Sequence, residues 1–426
     1  MTHILDELGW RGLIAVSTDL DTLREAMDDG PVTFYCGFDP TAPSLHLGNL
    51  VQLLTMRRLQ LAGHRPLALV GGATGLIGDP RPSAERVLNA PELVADWVER
   101  IKAQVAPYLD FSGAHAATMV NNLDWTAELS AISLLRDVGK HFRVNKMLAK
   151  DAVSARLSSD AGISYTEFSY QVLQGMDFLE LYRRFGCTLQ TGGSDQWGNL
   201  TAGLDLIHRV EGVAAHALAT PLITKADGTK FGKTETGTVW LDPSMTSPYA
   251  FYQFWINADD RDVVNYLKIF SFRSSDEIDE LAKAVAERPA AREAQRALAQ
   301  DVTTLVHGAA ETNAAIDASA ALFGRGELSA LPPATLEAAL RETGVVPLPG
   351  SPPPTVIDAF AASGLVDSKS AARRAIVEGG AYVNNAKVTD VDALLTPDDA
   401  LRGRWLVLRR GKRSVAGVEL VSGPPI

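Results

Sequence analysis

The residues best suited to chemistry lie in two strings. The first is FYCGFDPTAPSLHLGN, Phe34 to Asn49. Phe34 to Phe38 favour a strand, Asp39 to Pro43 break it, and an apolar-periodic helix is expected from about Leu45 to Gly63. A strand feeding a helix start makes an anion site, because the first helical N–H groups are unpaired and the helix dipole favours negative charge there. His46 and Asn49, three residues apart in the first turn, point to one side, and Gly48 leaves the backbone open to a flat ring. A histidine that merely caps the helix would have the same spacing. The second string is KADGTKFGKT, Lys225 to Thr234, a loop rich in Gly, Asp and Thr that carries Lys230 and Lys233. Loop ammonium groups suit a triphosphate whose charge grows as a phosphorus is attacked. A solvated charged loop would look the same taken alone.

Several elements must hold these strings together. The chain has 426 residues, 46% of them apolar and 21% charged, so it is read as globular with two or three domains. From Val32 the pattern alternates strand and helix, with FYCGF, then the long helix, then PLALVGG and a glycine-rich turn before GDP. An open α/β sheet with helices on both faces is expected, with ligands beyond the carboxyl ends of its strands. Residues 1 to about 32 read as an amphipathic lead-in, and residues 84 to 150 as mostly helical with a strand at Ala117 to Asn121. Ser247 to Gly324 has helical periodicity with i to i+4 charge pairs. Pro332, Pro333 and the run PLPGSPPP read as a stiff linker. The last seventy residues form a separate unit.

Composition narrows the partners. A net charge of -11 argues against a generic nucleic-acid binder. The stretch from Thr355 on, with ten Lys/Arg against eight Asp/Glu, leaves room for a local patch. No run of eighteen apolar residues and no signal-type start occur, so no membrane span and a cytoplasmic location are expected. Cys36 and Cys187 are too few for a disulfide framework or a metal cluster, consistent with a reducing compartment.

Together, the two strings resemble the signature pair of class I aminoacyl-tRNA synthetases. The segments VGGATGLIGDP (Val70 to Pro80), SYTEFSYQVLQGMDFLELY (Ser164 to Tyr182), QTGGSDQWGN (Gln190 to Asn199) and ITKADGTKFGKTETG (Ile223 to Gly237) narrow the resemblance. They are similar, in order and spacing, to the blocks of the bacterial-type tyrosyl-tRNA synthetases, over essentially the whole chain. The resemblance implies an α/β, Rossmann-like catalytic domain with a parallel sheet over residues 1–223, including an inserted dimer and acceptor-end region. A mobile lysine loop would follow at 224–246, a helical tRNA-binding domain at 247–330 and a linker at 331–354. A small α+β RNA-binding domain of ribosomal-protein type would occupy 355–426.

The activity implied is two-step. The tyrosine carboxylate attacks the α-phosphorus of ATP to give tyrosyl-adenylate and pyrophosphate. The terminal adenosine ribose of tRNA(Tyr) then takes the tyrosyl group. Positioning and charge stabilisation suffice for this, with no protein nucleophile. By resemblance, Thr41 and His46 hold the γ-phosphate, and Lys230 and Lys233 close on the pyrophosphate. Asp177 and Tyr35 bind the substrate phenol, and Asp79, Tyr170 and Gln174 its ammonium. Tyr170, Gln174 and Asp177 are spaced along one helix face, and polar residues at that spacing make a poor core stripe. Gly37, Asp39, Gly193, Asp195 and Gln196 fall on adenylate and ribose positions, as do Gly48 and Asn49. Cys36 matches a ribose-contacting position and is equally readable as a small buried thiol. Magnesium would accompany ATP, with no organic cofactor and no dedicated metal cage, and the assembly would be a homodimer.

Two departures are visible. The usual second histidine of the first signature is Asn49, and RPSAER follows GDP where many relatives carry Ser, Gly and Lys, leaving only Arg86 matched. For tRNA, the basic stretch with Lys146 and Lys150 is read as a contact near the acceptor end. Replacing both with Ala is expected to spare amino-acid activation. Lys369, Arg373 and Arg374 on one helix, and Arg409 and Arg410 in WLVLRRGKR, are read as C-terminal RNA contacts. The nearest rival is tryptophanyl-tRNA synthetase, disfavoured by the acidic phenol pocket and the C-terminal unit. A small adenylyltransferase would lack the helical domain and that tail. A non-catalytic RNA-binding relic should have lost Thr41, His46 or the loop lysines.

Overall fold

The computed structural model describes residues 2–80, 87–158, 162–229, 231–234, 237–412 and 414–421; of residues 151, 152, 233 and 234 only the backbone is described. The chain forms two compact units, Met1–Asp242 with Asp259–Lys283, and Pro243–Ala258 with the chain from Ala284 on.

The first unit is built on a six-stranded sheet. Its strands are β1 (Val16–Ser17), β2 (Thr33–Phe38), β3 (Arg65–Val70), β4 (Thr118–Asn121), β5 (Cys187–Gly193) and β6 (His216–Thr220), in the order β1-β6-β5-β2-β3-β4. All neighbours from β6 to β4 pair parallel, while β1 pairs antiparallel with β6 at one edge. The lead-in therefore contributes a strand that two residues were too short to signal. β2 and β5 are buried over most of their length, as parallel strands covered by crossover helices must be. Chain order reverses between β2 and β5, and such a switch point opens a crevice at the carboxyl ends. Two helices flank it. Leu47–Leu61 follows β2, and Tyr165–Phe185 precedes β5 and ends at Gly186 in the left-handed conformation.

The helical region expected from Ser247 to Gly324 is divided between the units. The helix Val263–Phe270 belongs to the first, because two arginines satisfy the carbonyls at its carboxyl end. Arg58 donates to the Ile269 and Ser271 carbonyls (2.9 and 2.7 Å), and Arg11 to those of Lys268 and Arg273 (2.8 and 2.9 Å). A hairpin of β7 (Lys233–Thr234) and β8 (Gly237–Thr238) completes the unit.

In the second unit most of the expected linker is regular structure, with residues 350–354 in neither helix nor strand. The helix Pro333–Thr343 packs against the helix Pro248–Ile256 and the helical segment Glu293–Leu322, which is kinked at Gly308. The proline run begins as β9 (Val345–Pro349). It joins β10 (Ala381–Val383), β11 (Ala386–Lys387), β12 (Trp405–Arg410) and β13 (Ser414–Val421) in the order β11-β10-β12-β13-β9. β9 is an edge strand, where Pro347 and Pro349 can lack an N–H without breaking a ladder. The β10–β11 turn places Asn384 and Asn385 at φ 49° and 66°, the geometry a two-residue hairpin favours.

Candidate active site

The crevice at the switch point is a cavity of about 630 Å³. At its deep end lie Tyr35, from β2, and Asp177, from the helix Tyr165–Phe185, each 2% exposed. The indole Nε1 of Trp125 donates to Asp177 Oδ1 (2.8 Å) and Asn122 Nδ2 donates to Oδ2 (2.9 Å). Burial raises the Asp177 pKa to about 7 against the lowering effect of these two bonds. The Tyr35 hydroxyl is buried without a hydrogen-bond partner, and burial, followed by the Asp177 charge, pushes its pKa well up. Gln174 Oε1 and Gln190 Oε1 are likewise buried and unpartnered. Such atoms cost free energy unless a ligand group meets them. A hydroxylated aromatic ring would supply a polar end for Tyr35 and Asp177 and an apolar body for Leu69 alongside.

A polar chain runs outward from Asp177. Asn122, fully buried, also donates to Thr74 Oγ1 (2.9 Å), and Thr74 donates to Asp39 Oδ1 (2.6 Å). The Tyr170 hydroxyl donates to Asp39 Oδ2 (2.7 Å), so its oxygen remains an acceptor toward the cavity. Burial, then the Asp39 charge, raises the Tyr170 pKa strongly. Asp79, half-buried, takes Gln196 Nε2 on Oδ2 (3.0 Å) and Asn199 Nδ2 on Oδ1 (3.1 Å). Cys36 lines the cavity as a buried thiol pushed up to about 12 by burial, and so stays protonated.

The mouth carries the first signature. His46 is the N-cap of the helix Leu47–Leu61, with Nδ1 accepting from the Gly48 N–H (3.0 Å) and Asn49 Oδ1 accepting from the His46 N–H (3.1 Å). The capping alternative is thus met together with a place in the cavity lining. With Nδ1 an acceptor, the neutral ring carries its proton on Nε2, a donor at an exposed mouth. The backbone beyond the lysine loop pairs with this start. The Leu47 N–H donates to the Val239 carbonyl (3.3 Å), the Leu241 N–H to that of Leu45 (2.8 Å), and His46 and Trp240 form a bridge. Phe231 stacks on Phe270 with ring centroids 5.3 Å apart and lines the cavity. Two strings nearly two hundred residues apart in sequence therefore share one mouth.

Tyr35, Cys36, Gly37, Asp39, Thr41, His46, Gly48 and Asn49 all line this cavity, as do Asp79, Tyr170, Gln174, Asp177, Gly193, Asp195 and Gln196. Lys230 and Arg86 lie outside the described residues, and Lys233 is described only as backbone in β7. Two residues read as RNA contacts are placed otherwise. Lys150 turns inward, donating to Asn199 Oδ1 (2.9 Å), and burial pulls its pKa down to about 7 against the opposing Asp79 charge. Arg409 is 8% exposed, stacked 3.9 Å over Tyr382 and donating to Asn385 and to the Gly411 carbonyl. Lys146, Lys369, Arg373, Arg374 and Arg410 are exposed. Sequence reasoning missed Gln190, Asn122 and Trp125. The last two lie just past the carboxyl end of β4, where a polar pair after a strand is the available signal.

The family description "tRNA synthetases class I (W and Y)" matches residues 27–324, and a tyrosine–tRNA ligase C-terminal domain matches residues 346–416. The tyrosine–tRNA ligase of Streptomyces avermitilis is 71% identical over 99% of this chain and 100% of its own length. That of Streptomyces coelicolor is 69% identical over 99% of each. A truncated mitochondrial tyrosyl-tRNA synthetase from Coccidioides posadasii, at 31% identity, superposes with a TM-score of 0.66 over 74% of this chain and 91% of its own. The chain belongs to the class I tRNA synthetases, in the group serving tryptophan and tyrosine. Within that class it falls among the tyrosine–tRNA ligases, which join tyrosine to tRNA using ATP.

Proposed function

We propose that the deep end of the cavity takes the tyrosine phenol between Asp177 and Tyr35. The observation that carries this is the buried Asp177 carboxylate, held on each oxygen by one fixed donor, beside the unpartnered Tyr35 hydroxyl. A phenol O–H satisfies both groups, whereas a phenyl ring would leave them stranded. Tyrosine–tRNA ligases are themselves the standing example of this penalty, which far exceeds that of a missing methylene. Asp79, Tyr170 and Gln174 receive the substrate ammonium through acceptor atoms, setting the carboxylate toward the mouth.

ATP lies along the mouth, with its adenosine over Gly48 and against Gly37, Asp39, Cys36, Asn49, Gly193, Asp195 and Gln196. His46 Nε2–H and the Thr41 hydroxyl donate to the phosphates, and Lys230 and Lys233 close on the pyrophosphate as it leaves. These groups stabilise charge that develops at phosphorus while the aligned carboxylate attacks. Magnesium would arrive with ATP and draw its oxygens mainly from phosphate and water, as that ion ordinarily does with nucleotides. Among the described residues no group of three or more His, Cys, Asp or Glu is placed to hold a metal. The tRNA would contact Lys146 and the exposed C-terminal cations Lys369, Arg373, Arg374 and Arg410. A cytoplasmic homodimer is the assembly the family resemblance implies, and among the described residues no helix is long and apolar enough to cross a membrane.

ATP–pyrophosphate exchange without tRNA, run with tyrosine, phenylalanine and tryptophan, tests the pocket. Exchange with tyrosine alone supports it. Exchange with tryptophan would reassign the deep end, and folded protein with no exchange would contradict the site as drawn.

A further inference from the structure

Lys150 is the residue whose place departs furthest from its sequence context. It sits in a stretch of exposed cations, yet its ammonium meets the Asn199 side chain inside the fold. Its stem lies directly over Gly198, where a Cβ would come within 3.0 Å of Lys150 Cε. A lysine could not take this path beside any larger residue without displacement.

We propose that Lys150 is a positioning residue for the amino-acid ammonium site, acting through Asn199 and Gln196 on the Asp79 carboxylate. This rests on the assignment of Asp79 to the substrate ammonium.

The direction of each hydrogen bond carries the inference. The Lys150 amine donates to Asn199 Oδ1, so the Asn199 amide turns its oxygen toward Nζ. Its NH2 then faces Asp79 Oδ1 (3.1 Å) and Gln196 Oε1 (2.9 Å). Gln196, with its oxygen engaged, turns its own NH2 to Asp79 Oδ2 (3.0 Å). Both Asp79 oxygens are thereby oriented, and Asp79 and Gln196 line the cavity while Lys150 stands behind them. Without the Lys150 donor, the Asn199 oxygen loses its partner and the amide is held from one side only, by the Asp79 and Gln196 oxygens that take its NH2. Its NH2 is then aimed at Asp79 Oδ1 less firmly, and the carboxylate loses part of its fixed geometry.

The test compares tyrosine with 3-(4-hydroxyphenyl)propionate, which keeps the phenol and the carboxylate but has no ammonium. In ATP–pyrophosphate exchange, Lys150→Met should raise the tyrosine KM about tenfold, the scale of one lost hydrogen bond to a charged group. The kcat should stay within about twofold, as expected when ground-state binding alone is lost, and the ATP KM should move clearly less than the tyrosine KM, Gln196 being shared by the two sites. Inhibition by the propionate should be unchanged. Asn199→Ala should give the same pattern, and the double variant should be no worse than Asn199→Ala alone. An unchanged tyrosine KM with a loss confined to tRNA charging would overturn the inference and make Lys150 an RNA contact. Equal weakening of tyrosine and the propionate would also overturn it, reducing Lys150 to local packing. Asp79→Asn separates the two levels. If tyrosine KM does not move there, the ammonium assignment of Asp79 fails; if it rises there and not in Lys150→Met, only the inference about Lys150 fails.

Discussion

The indole N–H of Trp125 donates to Oδ1 of Asp177 at 2.8 Å, from a short helical turn that follows β4. This bond and its counterpart from Asn122 fix the plane of a buried carboxylate. Trp125→Phe keeps most of the ring and removes the donor. It should lower stability by about 1–3 kcal/mol, the cost of leaving a buried acceptor short of a partner. The tyrosine KM in pyrophosphate exchange should rise while the ATP KM holds. A variant with unaltered tyrosine KM would show that Asp177 needs no such support.

Tyrosine binding should depend on pH through Asp177. Its pKa is raised to about 7 by burial, so in the free protein it is largely protonated below that value. A phenol O–H donates best to the ionised form, so the tyrosine KM should rise as pH falls below 7, approaching tenfold per unit at most. The stability sign follows from the same shift. A folded pKa above the ordinary carboxylate value means the group favours folding at low pH and ceases to do so as pH rises from about 4 to 7. Lys150, pulled down to about 7, works in the other sense, favouring folding more as pH rises above 7. Asp177→Asn should flatten the KM profile between pH 5.5 and pH 8, about the range that spans the shifted value. A profile unchanged in the variant would assign the titration elsewhere.

Gly48 is required by the histidine before it. A Cβ there would lie 2.8 Å from His46 Cε1 and 3.1 Å from Nδ1. Gly48→Ala should therefore push the imidazole off its capping bond and misdirect Nε2. We expect kcat for pyrophosphate exchange to fall by about tenfold or more, consistent with the cost of a misplaced charge-stabilising donor. The tyrosine KM should be little changed. Loss of tyrosine binding instead would mean that the two ends of the cavity are not independent.

The paired arginines of β12 should separate stability from RNA affinity. Arg409 is packed between Tyr382 and the Asn385 side chain, whereas Arg410 is exposed and donates to the Leu365 carbonyl. Arg409→Ala should cost about 1–3 kcal/mol in unfolding of the C-terminal part. Arg410→Ala should leave unfolding within about 0.5 kcal/mol and raise the tRNA KM. The opposite pattern would restore Arg409 as a surface contact.

What could be read from residues and what could not divides along physical lines. The strand, turn and helix from Phe34 to Leu61 were legible because breakers and apolar period mark them directly. Tyr170, Gln174 and Asp177 were legible as one face because helical spacing fixes direction. β9 was hidden because a proline run looks like a spacer unless its place at a sheet edge is known. The inward turn of Lys150 and the burial of Arg409 were not legible because charge spacing carries no information on burial. Asn122 and Trp125 bond Asp177 and do not line the cavity, so only the polar pair at the end of β4 points toward them in the sequence.

The most direct measurement is the ratio of kcat/KM for tyrosine over phenylalanine in pyrophosphate exchange, for the native protein and for Asp177→Asn. The phenol pocket predicts that the ratio falls by about a hundredfold or more, since a buried ionisable acceptor is exchanged for a neutral amide. Most of the fall should come from tyrosine. A ratio that stays unchanged in a folded variant would contradict the pocket and place the recognition of the hydroxyl elsewhere.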